Sequence, residues 1–130
     1  MTTIKSDPVA VTVRHEIKAE RIEDLLCTAL EGGSNYWAEI KSTRVGSASG
    51  VRYAHELPMR GGVITLADSS GEEWPADAQP VITRRACVIG LQVMADKFPQ
   101  HFVNFVQGHE DAVTGDVFLQ CCVFGDIVFG

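Results

Sequence analysis

Between Lys18 and Thr43 the apolar pattern changes period, and that change constrains the fold more than any other feature of the chain. In KAERIEDLLCTALEGG, Ile22, Leu25, Leu26, Ala29 and Leu30 recur at helical spacing and make one apolar stripe. Glu20, Glu23 and Asp24 lie near its start, where carboxylates favour the positive end of the helix dipole. Gly32-Gly33 closes the stripe, and Gly32 is expected in the left-handed conformation that ends many helices. SNYWAEIKST (34–43) then alternates, with Tyr36, Ala38 and Ile40 on one face and Asn35, Trp37, Glu39 and Lys41 on the other. An amphipathic helix that runs through a double glycine into an alternating segment must reverse and lay its stripe on the sheet that segment joins.

The remaining segments fit the same scheme. VAVTVRHEI (9–17) alternates with Val9, Val11 and Val13 on one face, the pattern of a half-buried strand. GGVITLAD (61–68), SSG (69–71) and EEWPA form an expected hairpin, with Pro75 placing its second arm at an edge or an end. RVGSASG reads as an irregular linker. Thr83 is the expected cap of a helix from Arg84 to about Phe98, and Pro99 ends it. HFVNFVQG (101–108) is a short amphipathic turn, and Thr114 is expected to cap a last helix through Phe124, stopped by Gly125. Phe102, Phe105 and Phe124 should share one core with Leu26 and Leu30. The predicted class is α+β, a small and mainly antiparallel sheet with helices packed mostly on one face. At 130 residues the expectation is a single domain spanning 1–130.

Three of these blocks carry a resemblance. LLCTALEGGSNYW, RGGVITLAD and CCVFGDIVFG resemble, in order, blocks of a family of small uncharacterised phage and prophage proteins. Those relatives share a TALEGG–NYW turn, an RGG before a hairpin strand and an aromatic-Gly-acidic tail ending in FG. The resemblance implies a phage or prophage setting and, with it, the host cytoplasm; it implies no particular activity. Arg84-Arg85 and the RVGSASG insertion are not part of the shared pattern.

Composition narrows the function classes. A formal net charge of −6 repels phosphate backbones, so general nucleic-acid binding is not expected. No apolar run has the length of a signal peptide or a membrane span, so no membrane partner is expected. Cys27, Cys87, Cys121 and Cys122 form no CxxC pair, and the four histidines complete no zinc spacing. Reduced thiols, no metal and no cofactor are the expectation. His101, His109, Glu110 and Asp111 sit close in sequence, but the varied spacing around Gly108 suits a surface loop. Without a nucleophile elbow or a basic neighbour for Cys121-Cys122, an enzyme is not expected.

Binding features remain. Paired glycines let successive N–H groups converge on an anion, so Arg60-Gly61-Gly62 is a candidate nest. Arg84 and Arg85 stand in a first helical turn, where free N–H groups also favour anions. Trp37, beside Asn35, is expected on an open sheet face as a subunit contact or stacking platform, with Tyr36 packed beneath against the first helix. Asn35, Trp37, Arg60, Gly61, Gly62, Arg84 and Arg85 are therefore the candidate ligand residues. Together they suggest a homo-oligomeric counter-defence protein that sequesters a small anionic, nucleotide-like ligand. The alternative is a protein–protein inhibitor of a host defence complex, of the anti-CRISPR kind, acting through its acidic surface.

Overall fold

The computed structural model describes residues 7–130. Among them lie four α-helices and a three-stranded antiparallel sheet, the α+β architecture that the sequence predicts. Helix α1 is Ala19–Thr28, strand β1 Ala38–Arg44, β2 Val63–Asp68, β3 Val81–Ile82, α2 Arg84–Lys97, α3 Pro99–Val106 and α4 Ala112–Phe124. The sheet order is β1-β2-β3. β1 meets β2 from Ala38 opposite Asp68 to Arg44 opposite Val63, with a shift in register between Ile40 and Ser42.

Helix α4 is the centre of the molecule. Val117 to Val123 are all buried, together with Thr114 and Gly115, so the helix is enclosed on nearly every side. Two glycines let its neighbours close in. A Cβ on Gly115 would lie 3.0 Å from Thr28 Cγ2 on α1, and one on Gly90 of α2 would lie 2.3 Å from Cys122 Sγ. Leu25 and Leu26 of α1, Cys87 and Met94 of α2, Phe105 of α3 and Ile64 and Ile82 of the sheet complete the core. Leu30, Phe102 and Phe124 pack against it partly buried, so the expected aromatic and leucine set does share one core.

Local sequence explains the helix ends. Thr83 accepts from the Ala86 N–H at 3.1 Å and caps α2, as predicted. Helix α4 is capped by Asp111, not Thr114: the Asp111 carboxylate accepts the Thr114 N–H at 3.0 Å, and Thr114 is carried inside the first turn. Gly125 stops α4 in the left-handed conformation with φ 69°.

Three further expectations are corrected. Residues 7–16 have no regular secondary structure and are exposed throughout, so VAVTVRHEI is not a strand of this sheet. The second hairpin arm at EEWPA is replaced by a turn that Asp68 organises, its carboxylate accepting the N–H groups of Ser70 at 2.8 Å and Trp74 at 3.1 Å. β2 pairs instead with β1 and with two residues of β3. Finally, α1 does not end on a left-handed Gly32. It widens into a π turn, Ala29–Gly33, in which Ser34 N–H reaches Ala29 O at 2.9 Å and Gly32 has φ 172°. Gly33 is the constrained glycine, because a Cβ there would lie 2.5 Å from the Ala112 carbonyl.

Candidate functional site

The NYW turn is built around one carboxylate. Residues 34–37 form a tight turn, with the N–H groups of Trp37 and Ala38 both donating to Ser34 O, and the strand starts only at Ala38. Strand alternation therefore does not apply to Tyr36 and Trp37, and their expected positions are exchanged. Trp37 is fully buried and Tyr36 is 48 % exposed. Trp37 packs among Phe124, Trp74 and Phe129, with ring centroids at 5.0, 5.6 and 6.0 Å. Its indole N–H donates to Asp116 Oδ1 at 2.7 Å, and the Ser34 hydroxyl donates to the same oxygen at 2.9 Å. Asp116 Oδ2 takes the Tyr36 hydroxyl at 2.5 Å and the Gln120 amide at 3.2 Å. Partial burial, then the hydrogen bond and charge of Asp116, push the Tyr36 hydroxyl up to about 12. One turn along α4, Gln120 Oε1 accepts the N–H groups of Val128 at 2.7 Å and Phe129 at 2.9 Å. Asp116 and Gln120 thus fasten both the NYW turn and the VFG tail to α4. The cleft beside them contains Asp116 and no lysine or arginine, which disfavours an anion.

Arg60 is held inside the protein's own ion pairs. Its Nε donates to Glu23 at 2.8 Å, and Nη2 reaches Glu23 at 3.2 Å and Glu56 at 3.1 Å. Nη1 donates to Gly50 O at 2.8 Å, which pins the RVGSASG segment. The hydrogen bonds it donates to Glu23 hold the guanidinium above its ordinary value. Nor do the glycines converge as a nest. Gly62 N–H donates to Leu57 O at 2.8 Å and Gly61 N–H to Pro58 O at 3.4 Å, closing the turn at Pro58–Arg60.

The other candidates scatter. Asn35 is exposed and lines a cleft of about 380 Å³ with Glu39 and Ser69 but no cationic residue. Arg85 is exposed on α2. The loop carboxylates serve structure: Glu110 pairs with Arg21 at 3.0 Å, and Asp111 is held below the usual carboxylate range by the Thr114 N–H. Burial pushes the Cys121 thiol up to about 12 and holds the Cys122 thiol well above its ordinary value, so both are protonated at neutral pH.

Arg84 alone of the predicted set faces a roomy groove. Its Nη1 donates to Met59 O at 2.8 Å, leaving the rest of the guanidinium for other partners. The groove encloses about 510 Å³ between residues 12–17, α2 and Phe102, within the range of small-molecule sites. Its floor is apolar, from Ile22, Met59, Leu91 and Phe102; Arg14, His15 and Arg84 line it too, and no Asp or Glu does. The His15 ring meets Phe102 edge-on at 5.4 Å. Arg14 and His15 were missed because VAVTVRHEI reads as a strand with its polar residues turned to water. Asp116 was legible in principle, as the lone charged residue of AVTGDVFLQCCVF.

Comparison of the chain with protein-family models, curated proteins and solved structures finds no match.

Proposed function

We propose that this protein binds and sequesters a small anionic, nucleotide-like ligand without transforming it, in the groove between residues 12–17 and α2. The groove's charge carries the assignment: in a chain of net charge −6, its lining gathers two arginines and a histidine and no carboxylate, and only Glu16, outside the lining, reaches Arg14 at 3.7 Å. The apolar floor offers a planar ring a dry surface, and Arg84 and Arg14 supply donors for a phosphate at its rim. Neither a thiol nor a carboxylate reaches into the lining, so binding is the chemistry these side chains favour.

The biological setting we propose is counter-defence in the host cytoplasm, where the phage-like blocks would place the protein. Self-association is part of the proposal. β1 has one neighbour in the sheet, Glu39–Arg44 are exposed, and Val9, Val11 and Val13 stand in water at 87, 81 and 70 % exposure. An unpaired edge and an unpaired alternating segment suit strand addition between copies. The acidic surface favours a second reading, an inhibitor that occupies a basic groove of a host protein.

Titration of the purified protein with cyclic and linear dinucleotides and with mononucleotides decides between them. Saturation at about 100 times Kd should stabilise the fold by about 2.7 kcal/mol, read as a rise in Tm. Arg14→Glu, at a side chain 89 % exposed, and Arg84→Glu should each weaken binding by at least about tenfold, as loss of one charge-assisted contact implies. If no nucleotide shifts Tm, or both variants bind like the parent, the assignment is wrong.

A further inference from the structure

We infer that Cys27, Glu31 and His55 form a zinc(II) site with one coordination position left open to solvent. Cys27 Sγ, a Glu31 carboxylate oxygen and a His55 ring nitrogen all lie within 4.8 Å of one another. Thiolate, imidazole and carboxylate are the donor types zinc takes, and three protein ligands plus water are the usual open set. Magnesium and calcium would require oxygen donors throughout. With bonds of about 2.0–2.3 Å, tetrahedral ligands stand roughly 3.3–3.8 Å apart, so closure needs about 1 Å of side-chain rotation. Cys27 and His55 are half-buried and Glu31 is exposed, so that rotation meets no packed core.

The scaffold around these donors is built to hold them together. Cys27 and Glu31 are four residues apart, where α1 passes into the π turn, and so share a face. Single π turns within helices recur at functional sites. His55 comes from the short 3-10 turn Ala54–Glu56. That turn is fixed to α1 by Arg60, which bridges Glu56 beside His55 to Glu23, one helical turn before Cys27. Glu56 also accepts the N–H groups of Arg52 at 2.6 Å and Tyr53 at 2.9 Å, which sets the path of the chain into His55. The Tyr53 ring lies nearly parallel to the imidazole, 5.6 Å away and tilted by 7°. The Glu23–Arg60–Glu56 bridge therefore holds the turn that carries His55 beside the helix that carries Cys27. Cys87, Cys121 and Cys122 are buried, which leaves Cys27 as the accessible thiol. On binding, the thiol proton passes to solvent, and thiolate and carboxylate together balance the two charges of the ion.

The test uses the untagged full chain, stripped with a chelator and titrated with zinc chloride by calorimetry, with metal content read by mass spectrometry. One zinc per chain is expected. Cys27→Ser and His55→Ala should each weaken binding by at least about tenfold, the scale on which even outer-sphere changes act. His109→Ala, at an exposed histidine elsewhere, should bind like the parent. Cobalt(II) in place of zinc should give a thiolate charge-transfer band that Cys27→Ser abolishes and His109→Ala keeps. Circular dichroism confirms that each variant is folded. Absence of stoichiometric zinc, or zinc retained equally in Cys27→Ser and His55→Ala, overturns the site.

Discussion

Asp116→Ala tests how the NYW turn is held. The substitution removes the acceptor of four donors: Ser34 Oγ, Trp37 Nε1, Tyr36 Oη and Gln120 Nε2. Their fates differ. Tyr36 is 48 % exposed, so water can replace the carboxylate, whereas Ser34 is 1 % exposed and Trp37 fully buried. Each buried donor left unpaired costs about 1–3 kcal/mol. Freeing a half-buried carboxylate from its desolvation offsets part of this, so the net loss should be about 2–5 kcal/mol. Against a total stability of about 5–15 kcal/mol that loss is large. Asp116→Asn separates acceptor count from shape. Its amide oxygen can still take Ser34 and Trp37, and its NH2 can donate to the Tyr36 oxygen but opposes the Gln120 amide. About 1–2 kcal/mol should follow from that single mismatch. Urea unfolding monitored by tryptophan emission reads both variants, since Trp37 and Trp74 lie in the affected cluster. Asp116→Ala within about 0.5 kcal/mol of the parent, the range of ordinary surface changes, would refute the reasoning. So would equal losses for Ala and Asn.

Three further outcomes follow from the same geometry. Trp37→Ala should cost about 3–5 kcal/mol of fold stability in urea, as core aromatic truncations do, and Tyr36→Ala should cost less. Gly33→Ala should lower Tm because its Cβ meets the Ala112 carbonyl at 2.5 Å, while Gly32→Ala, with nothing within 4 Å, should be tolerated; equal Tm values would contradict the close approach. Tyr36 keeps its proton to about 12 in the folded chain against 10.0 ordinarily, so the unfolded chain ionises first and stability falls as pH rises between those values. Tyr36→Phe should flatten that alkaline fall in urea midpoints, and an unchanged slope would assign it to other groups.

The parts of the fold legible in the sequence are those fixed by local rules. The stripe of α1, the Thr83 cap and the Gly125 stop depend on residues within a turn or two of one another, and each appears as read. What the sequence left obscure depends on partners far along the chain. VAVTVRHEI has strand periodicity, but a strand also needs a neighbouring edge, and here residues 12–17 run beside α2 and Phe102 instead. RGG has the composition of an anion nest, yet Glu23, 37 residues away, takes the arginine. Cys27, Glu31 and His55 likewise follow no metal-ligand spacing, and β1 and the RVGSASG segment intervene between Glu31 and His55.

The double glycine before NYW brings the two kinds of information together. Helical and alternating periods meet at Gly32-Gly33, and extending the alternation backwards from β1 puts Tyr36 inside and Trp37 outside. The π turn adds a residue to the helix and a four-residue turn follows, so the strand begins only at Ala38. The side that Trp37 takes is then decided by Asp116, which lies 79 residues on and offers the indole N–H a charged acceptor in a buried place. An indole whose N–H is matched in this way buries its whole ring area at little polar cost, whereas an exposed Trp37 would leave both ring and carboxylate without these partners. The position of the most conspicuous aromatic in the chain therefore depends on the single charge in its most apolar helix.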